Sequence, residues 1–401
     1  MGHTHSYDVI VVGVGGMGAS ACMHLADRGL RVLGLEQFTV GHGFGSSHGG
    51  SRIVRDCYFE HPDYVPLLLR CNQLWSALEA RTGERVVHRP GVLYVAHPGG
   101  VAVERSFASG VQHGVPCERL DARAVRERFP QFAVPDDWNA LFEPNAGFVR
   151  PERAVLAHAR AAVMAGATIL EGQAVQQWRA SQTDVEVATS TGVYRAQSLV
   201  LCTGAWTAAL AAQCGRPAPV PLRVLRIPLA WLEARDLPAC TSPRMPVWYI
   251  EPADDAPVYG VPWAHDQGYP AGVKVARHGG ATAREHNFAR DPARDPAGDP
   301  AGDPVPPCSA EEQEALRQAV ERFVPCAAGA PLAGATCFYT MSPDEHFIID
   351  FWPGHTNVVV ACGFSGHGFK FTPVVGEILA DLAAKGSTGL PAGFLSLARF
   401  P

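Results

Sequence analysis

The sequence predicts an α/β fold of two domains, and three observations lead to that prediction. Glycine-rich loops near both ends of the chain each follow an apolar run typical of a buried strand and precede a helical pattern. Stretches between them, such as residues 223–231 and 247–250, have the composition and alternation of strands. At 401 residues the chain is too long for one simple core. A discontinuous domain with a parallel sheet, joined to a second α+β domain rich in antiparallel strands, accounts for all three.

The N-terminal loop has the pattern of a dinucleotide-binding turn. Residues 7–12 predict a strand, Gly13-Val-Gly-Gly-Met-Gly18 predicts a tight turn, and residues 19–28 predict a helix. The next predicted strand, residues 30–35, ends on Glu36, the acid that such a motif places on a ribose. Glycines let the helix N-terminus approach a pyrophosphate. The motif predicts a Rossmann-like domain and leaves NAD and FAD open.

The C-terminal loop reads Gly363-Phe-Ser-Gly-His-Gly-Phe-Lys-Phe371, between an apolar strand pattern at 358–362 and a helical pattern at 372–384. Its glycines let the backbone pass close to a flat ligand, and Lys370 adds a cation. The loop taken alone fits an ordinary strand-to-helix turn equally well. A third predicted strand, residues 196–202, closes on Thr203-Gly204-Ala-Trp206, so three glycine loops from distant segments are expected to converge on one ligand.

Composition and charge exclude several classes of function. A net charge of −6 gives no basic surface for nucleic acid. No apolar run reaches the ~18–20 residues of a membrane span, and residues 1–7 are too short and polar for a signal peptide. The 11 cysteines are scattered without a C-x-x-C pair, which predicts neither a disulfide framework nor a metal site. We expect a cytoplasmic protein.

Two local patterns concern the second half of the chain. Residues 286–306 are rich in an Asp-Pro repeat that lacks apolar surface and ladder donors, which predicts a flexible, exposed loop. Residues 309–323 predict a helix with Ser309 as N-cap and Glu312 three residues on, the pattern of a capping box.

Cys337 lies in Gly334-Ala-Thr-Cys-Phe-Tyr-Thr340, which is followed by Asp344-Glu-His-Phe-Ile-Ile-Asp350 and then by the C-terminal glycine loop. A lone cysteine is by default a small buried hydrophobe. This series, however, closely resembles the monomeric sarcosine oxidase family of FAD-dependent amine oxidases, which includes the N-methyltryptophan and pipecolate oxidases. The resemblance covers nearly the whole chain. It extends to five further motifs: Val9-Ile-Val-Val-Gly-x-Gly-x-Met-Gly18, Gly45-Ser-Ser-His-Gly-Gly-Ser-Arg-Ile-Val-Arg55, Glu143-Pro-Asn-Ala-Gly147, Gly204-Ala-Trp206 and Tyr259-Gly-Val-Pro262.

The resemblance implies FAD as the cofactor. The interleaving of strand and helix patterns along the chain divides it between two domains. The FAD-binding domain takes residues 1–85, 143–220 and 326–401, and the substrate-binding domain takes residues 86–142 and 221–325. Cys337 matches the cysteine that bonds FAD covalently through its 8α-methyl carbon, a bond that needs a thiolate. Arg55 and Lys370 match the cations that hold a substrate carboxylate, and Lys274 matches the lysine beside flavin N5 that promotes reaction with O2.

Further positions carry roles that the resemblance implies. His48 and Arg52 match residues beside the flavin ring, and Tyr259 and His278 match residues lining the substrate cavity. Without the resemblance, Arg52 reads as an ion-pair partner, Tyr259 as a packing aromatic and His278 as a loop histidine. The predicted catalytic residues are Lys274, Arg52, His48, Tyr259 and His278, and the predicted substrate-binding residues are Arg55, Lys370 and Gly366. The predicted cofactor-binding residues are Gly13, Gly15, Gly16, Met17, Gly18, Glu36, Ser47, Arg52, Thr203, Gly204, Trp206, Cys337, Gly366, Gly368, Phe369 and Lys370.

The implied function is oxidation of the C–N bond of a secondary amino acid to an imine, with O2 reduced to H2O2. An N-methyl substrate then gives the demethylated amino acid and formaldehyde. Residues 248–259 differ from the family in length and begin with bulky aromatics, so N-methyl and cyclic amino acids both remain candidates. A dehydrogenase with another electron acceptor and a non-catalytic flavin-binding protein are the alternatives. The predicted partners are the amino-acid substrate and O2, for a monomer that binds neither nucleic acid nor membrane.

Overall fold

The computed structural model describes residues 7–265, 268–279, 283–286 and 307–400. Residues 287–306 of the predicted Asp-Pro-rich loop lie outside the described residues. In the described part, the helices are α1 (Gly16–Asp27), α2 (Val65–Thr82), α3 (Val101–His113), α4 (Ala122–Arg128), α5 (Pro151–Met164), α6 (Thr207–Gln213), α7 (Ala310–Glu321) and α8 (Thr372–Lys385).

The strands of the described part lie in four sheets. In chain order they are β1 (Val9–Val12), β2 (Val32–Leu35), β3 (Arg52–Val54), β4 (Val87–His88), β5 (Val92–Ala96), β6 (Glu118–Asp121), β7 (Asn139–Glu143), β8 (Gly147–Val149), β9 (Thr168–Leu170), β10 (Val175–Ala180), β11 (Val185–Thr189), β12 (Val193–Ala196), β13 (Ser198–Leu201), β14 (Arg223–Glu233), β15 (Val247–Glu251), β16 (Val258–Val261), β17 (Gly272–Arg277), β18 (Arg284–Glu285), β19 (Pro331–Met341), β20 (Ile348–Phe351) and β21 (Val358–Cys362).

The first large sheet has the order β20-β21-β13-β1-β2-β9. Its inner strands run parallel, and β20 is an antiparallel edge. Strand β2, which follows β1 and α1 in the chain, pairs with one side of β1. Strand β13, which comes much later in the chain, pairs with the other side of β1. Ligands bind where strand order reverses in this way, outside the carboxyl ends of the strands. The α/β fold with a Rossmann-like domain is therefore confirmed.

The second large sheet has the order β18-β14-β17-β16-β15-β5-β7-β6, with β19 pairing along β14. β19 corrects one part of the sequence-based division, which places all of residues 326–401 in the FAD-binding domain. It pairs antiparallel with β14 from Arg223↔Met341 onward, so it belongs to this second sheet. The rest of the division remains our proposal. Within the described ranges, no helix is both long enough and apolar enough to cross a membrane.

Several elements that local sequence patterns predict are present in the structure. Residues 358–362 form β21, buried along its whole length, and α8 begins at Thr372 as its helical pattern predicts. Ser309 accepts a hydrogen bond from the Glu312 N–H while the Glu312 side chain reaches back, so the predicted capping box starts α7. In β15, alternation places Trp248 in the core under the second sheet and leaves Tyr249 on the opposite face. That opposite face borders the cavity described next.

Candidate active site

One large cavity of about 1020 Å³ lies between the carboxyl ends of the parallel sheet and one face of the second sheet. Three of its walls come from the predicted glycine loops, and the fourth from β15, β16 and β19. Most predicted site residues line it: Gly13, Gly15, Gly16, Met17, Glu36, Ser47, Arg52, Arg55, Thr203, Gly204, Trp206, Tyr259, His278, Cys337, Gly366, Gly368, Phe369 and Lys370.

At one end of the cavity, the glycine turn brings backbone into close contact with the sheet. Gly13 has a φ of +85°, and a Cβ there would stand 2.5 Å from the Cys202 carbonyl oxygen. A Cβ on Gly18 would collide with the carbonyl of Gly13, so Gly18 supports the turn from behind and does not line the cavity. Glu36 accepts a hydrogen bond from the Val14 N–H at 2.8 Å, which ties the acid to the turn.

The loop that includes residues 45–52 connects the two halves of the cavity. Ser47 accepts the Gly16 N–H at 3.1 Å on the nucleotide side. On the other side, the Ser46 hydroxyl donates to the Phe338 carbonyl at 2.7 Å, and an Arg52 N–H donates to Cys337 Sγ at 2.9 Å. Cys337 is buried on β19 and opens onto the cavity.

Lys274 and His48 lie behind the cavity wall and do not line it. Lys274 Nζ is buried and donates to the Ser51 carbonyl at 2.6 Å, which places it directly under the 45–52 loop. Burial, and then the charge of Arg52, lower the pKa of Lys274 well below its ordinary value. Burial lowers the pKa of His48 to about 4, and its Nε2 has no partner among the described residues.

Two glycines of the C-terminal loop are needed because the loop packs closely against neighbouring aromatic rings. Gly366 has a φ of +80°, and a Cβ there would collide with the Tyr339 ring. A Cβ on Gly368 would stand 2.5 Å from the Phe364 ring. The glycines therefore let the loop fold against β19 while it borders the cavity. The loop also carries Lys370, whose Nζ donates to the His367 carbonyl at 2.7 Å.

Arg55, Glu60 and Lys370 form a charged group at the other end of the cavity. An Arg55 N–H donates to Glu60, and the Arg55 guanidinium lies 4.2 Å from the ring centroids of Tyr58 and Phe59. Both cations are buried, with Arg55 6% and Lys370 5% exposed. The second Glu60 oxygen, Oε2, is buried and has no hydrogen-bond partner in the described part of the chain. The sequence reasoning missed Glu60, because one acid in a loop carries no signal of what it will face.

The pKa values of this group follow from burial and from mutual charge. Burial raises the pKa of Glu60, but Arg55, His367 and Lys370 outweigh it and hold the value at about 2. Burial disfavours the charged form of Arg55, yet Glu60 more than compensates and its pKa is raised. Burial and the neighbouring Arg55 lower the pKa of Lys370 to about 7. The site thus holds one carboxylate and two cations, with Lys370 close to its titration point at neutral pH.

Glu143, from the motif at 143–147, supports the segment that carries Arg55. Its carboxyl group is fully buried and accepts the N–H of Asp56 at 2.7 Å and of Cys57 at 3.2 Å. Burial and the neighbouring Asp56 raise the pKa of Glu143 to about 8. These hydrogen bonds hold the backbone directly after Arg55, which explains a motif to which the sequence alone gives no role.

Aromatic side chains form the wall between the charged group and Cys337. Tyr249 lies 5.3 Å from Phe59 and 6.2 Å from His278, measured between ring centroids, and His278 lies 5.6 Å from Tyr339. Burial lowers the pKa of His278 to about 4, so the imidazole is neutral near pH 7. Among these residues the sequence reasoning missed Phe59, Tyr249 and Tyr339. The alternation of β15 and β19 is the signal that identifies the last two.

These residues fit an FAD molecule. The glycine turn at the N-terminus of α1 leaves room for a pyrophosphate, which a Cβ on Gly15 or Gly16 would narrow, and Glu36 is placed for a ribose. From there the cavity continues without interruption past Cys337 to Arg55 and Lys370. In the described residues, no group of three or more His, Cys, Asp or Glu side chains is arranged to hold a metal ion.

A fold and a cavity of this kind define a flavin-dependent oxidoreductase. Comparison with known proteins agrees, because the family model described as FAD dependent oxidoreductase matches residues 8–382. The chain belongs to this family and is an FAD-dependent oxidoreductase that acts on the CH–NH group of amino acids.

Named relatives are similar over nearly their whole length. Monomeric sarcosine oxidase from Streptomyces avermitilis is 41% identical over 391 residues, 97% of this chain and 96% of the relative. N-methyl-L-tryptophan oxidase from Yersinia pestis is 33% identical over 394 residues, 98% of this chain and 99% of the relative. The solved structure of NikD, an unusual amino acid oxidase essential for nikkomycin biosynthesis, has a TM-score of 0.80 at 26% identity and covers 98% of both chains.

Proposed function

We propose that the protein oxidises a secondary amino acid, N-methyl or cyclic, at its C–N bond and passes the electrons to O2. The observation that carries the proposal is a pair of buried cations, Arg55 and Lys370, in the same cavity as Cys337. Two buried cations at the end of a flavin-sized cavity need an anion, and an amino-acid carboxylate supplies one. Relatives named for sarcosine and for N-methyl-L-tryptophan support this substrate class.

Binding of the carboxylate has to compete with a resident anion. Glu60 already pairs with Arg55, so an incoming carboxylate shares or replaces that contact. Arg55 has several N–H donors, and Lys370 donates to a carbonyl and to the Tyr58 hydroxyl, so both retain hydrogen bonds for a second acceptor. The substrate would then be held by its carboxylate, with its amine directed along the aromatic wall.

The remaining chemistry is divided between cofactor and protein. FAD, held by the glycine turn, Glu36 and Cys337, would supply the two-electron redox chemistry with the substrate C–H bond and with O2. The chain orients the substrate, excludes water with Phe59, Tyr249 and Tyr339, and leaves the neutral His278 beside the amine. The resulting imine is hydrolysed by water. With an N-methyl substrate the products are the primary amino acid, formaldehyde and H2O2.

The substrate class is tested most simply by anaerobic reduction of the bound flavin. Sarcosine, larger N-methyl amino acids, proline and pipecolate are each mixed with the enzyme under argon, and the flavin absorbance is followed. We expect at least one of them to bleach the flavin, whereas matched amines without a carboxylate do not, because they cannot pair with Arg55 and Lys370. A panel in which nothing bleaches the flavin would favour the non-catalytic alternative.

Covalent attachment of FAD through Cys337 is a separate proposal. The position of Cys337 supports it, because this residue borders the cavity beside Arg52, whose N–H donates to its sulfur at 2.9 Å. Cys337→Ser protein is expected to release its yellow colour into the supernatant on acid precipitation, whereas the parent protein keeps the colour in the pellet. Colour in the parent's supernatant would show that the flavin is held without a covalent bond.

Lys370 is expected to make carboxylate binding dependent on pH. Its pKa of about 7 means that the ammonium is present below pH 7 and is lost as the pH rises through that value. The dissociation constant of a small carboxylate inhibitor without an amine should therefore increase several-fold between pH 7 and pH 9. Binding of the inhibitor by Lys370→Met protein should be weaker and flat over the same range. An equally steep curve for that variant would assign the titration to another group.

Three further expectations remain proposals. The monomeric state is supported by the names of the sarcosine oxidase relatives, and the cytoplasmic location by the absence of paired-cysteine motifs in the sequence. O2 as the electron acceptor is supported by Lys274 under the loop that reaches Cys337, whereas a dehydrogenase would use another acceptor.

A further inference from the structure

Two cysteines outside the cavity, on two segments next to the second sheet, lie with their sulfur atoms in contact. The Sγ atoms of Cys240 and Cys326 are 3.4 Å apart, although the residues are 86 positions apart in the chain. Cys240 is fully buried in the connection from β14 to β15, and Cys326 is half-buried in the turn after α7. Neither residue lines the cavity.

The backbone holds these two segments together independently of the sulfurs. The Arg235 N–H donates to the Cys326 carbonyl at 2.7 Å, and the Arg235 side chain bonds Glu321 at 2.7 Å. From the third side, the Gln131 side chain donates to the Ala239 carbonyl at 3.0 Å. A disulfide has an S–S length of about 2.05 Å, so the sulfurs need to approach by only ~1.4 Å.

The two thiols differ in pKa and in exposure, and reaction of one of them with peroxide requires such a difference. Cys240 Sγ–H donates to Cys326 Sγ, and this hydrogen bond lowers the pKa of Cys326. The thiolate is the nucleophile toward peroxide, and Cys326 is also the more exposed of the two. Another pair, Cys57 and Cys117 beside Gly110, also has a buried donor and a more exposed acceptor, but there burial outweighs the hydrogen bond and raises the pKa of Cys117 as well as that of Cys57.

We propose that Cys240 and Cys326 form a dithiol site that hydrogen peroxide oxidises to a disulfide. Cys326 thiolate attacks one peroxide oxygen, the O–O bond breaks, and hydroxide leaves, which gives a sulfenic acid at Cys326. Cys240 then attacks that sulfur, the S–O bond breaks, and the hydroxyl departs as water with the thiol proton. In sum, two thiols and one H2O2 give one disulfide and two waters.

H2O2 is the product of the proposed oxidase reaction, so the enzyme would meet this oxidant in every turnover. The dithiol itself does not depend on that reaction, because added peroxide suffices. The disulfide would tie the β14–β15 connection to the segment that leads into β19, the strand carrying Cys337. A loop of 86 positions closed in this way restricts the unfolded chain more than the folded one.

The test treats holoenzyme without substrate with a few equivalents of H2O2, followed by catalase, denaturation, alkylation and peptide mapping. We expect a cross-linked peptide pair containing Cys240 and Cys326, a mass lower by two hydrogen atoms, and a Tm higher by roughly 3–8 °C that dithiothreitol reverses. Cys240→Ser and Cys326→Ser proteins should give neither the cross-link nor the Tm shift, while their untreated activity matches the parent.

Three results would overturn the proposal. These are two intact thiols at Cys240 and Cys326 after peroxide, a disulfide between Cys57 and Cys117 in their place, or a Tm shift that persists in Cys326→Ser protein. An inactive enzyme that still forms the Cys240–Cys326 cross-link with added peroxide would contradict the proposed function and leave the dithiol site standing.

Discussion

Arg55→Met protein is expected to lose roughly 10²- to 10³-fold in kcat/KM for the amino-acid substrate. Truncating one partner of a buried, hydrogen-bonded charge pair costs about 2–5 kcal/mol, and each 1.36 kcal/mol is a factor of ten. The loss should appear mainly in KM, because in the proposed binding mode Arg55 holds the carboxylate and does not touch the bond that breaks. Steady-state kinetics with the best substrate of the panel measures it.

The same substitution is expected to destabilise the fold, because Glu60 loses its main partner. Burial then raises the pKa of Glu60, which Arg55 now holds near 2. Breaking a buried ion pair costs about 3–5 kcal/mol. The double variant Arg55→Met, Glu60→Gln is the matched control: it should recover most of the stability but none of the substrate affinity. If the double variant also recovers KM, then Arg55 acts only as a structural partner of Glu60.

Lys274→Met protein is expected to react with O2 at least ~10²-fold more slowly, since one preorganised hydrogen-bond donor at a developing anion is worth about that factor or more. Anaerobic reduction of the flavin by substrate should change little, because Lys274 does not line the cavity. Stopped-flow measurement of the two half-reactions separates these effects. An unchanged rate of reoxidation in air would remove Lys274 from the oxygen reaction.

Stability provides an internal control for this variant. The pKa of Lys274 is lowered in the folded protein, so the unfolded chain binds the additional proton and stability rises with pH until the ordinary lysine pKa of about 10.4. Near pH 7 the buried amine therefore opposes folding. Replacing it with Met should leave Tm unchanged or raise it, and a slow reaction with O2 is then not a sign of misfolding.

The parallel sheet and its nucleotide end could be predicted from the sequence because their signals are local. Apolar runs at 9–12, 32–35 and 358–362 are each bounded by glycine or by Glu36, and the spacing of the glycines has a direct steric meaning. That β19 belongs to the second sheet could not be predicted from such local signals. It depends on a long antiparallel pairing with β14, more than 100 residues earlier, which no local pattern encodes.

The site could be predicted only in part. Residues within motifs, such as Cys337 and Lys370, line the cavity, whereas Lys274 and His48 lie behind its wall. Glu60 was missed because its importance comes from the partner that folding brings to it. Tertiary contact, and not residue type, decides which acid becomes the counterion of a buried arginine.

The most direct test of the oxidase is the stoichiometry of its products in air-saturated buffer. Purified enzyme with the N-methyl amino acid that bleaches the flavin fastest should form one H2O2 and one formaldehyde for each substrate consumed, with one O2 taken up when catalase is absent. Substrate consumption that requires an added dye or quinone and forms no H2O2 would contradict the account and identify a dehydrogenase.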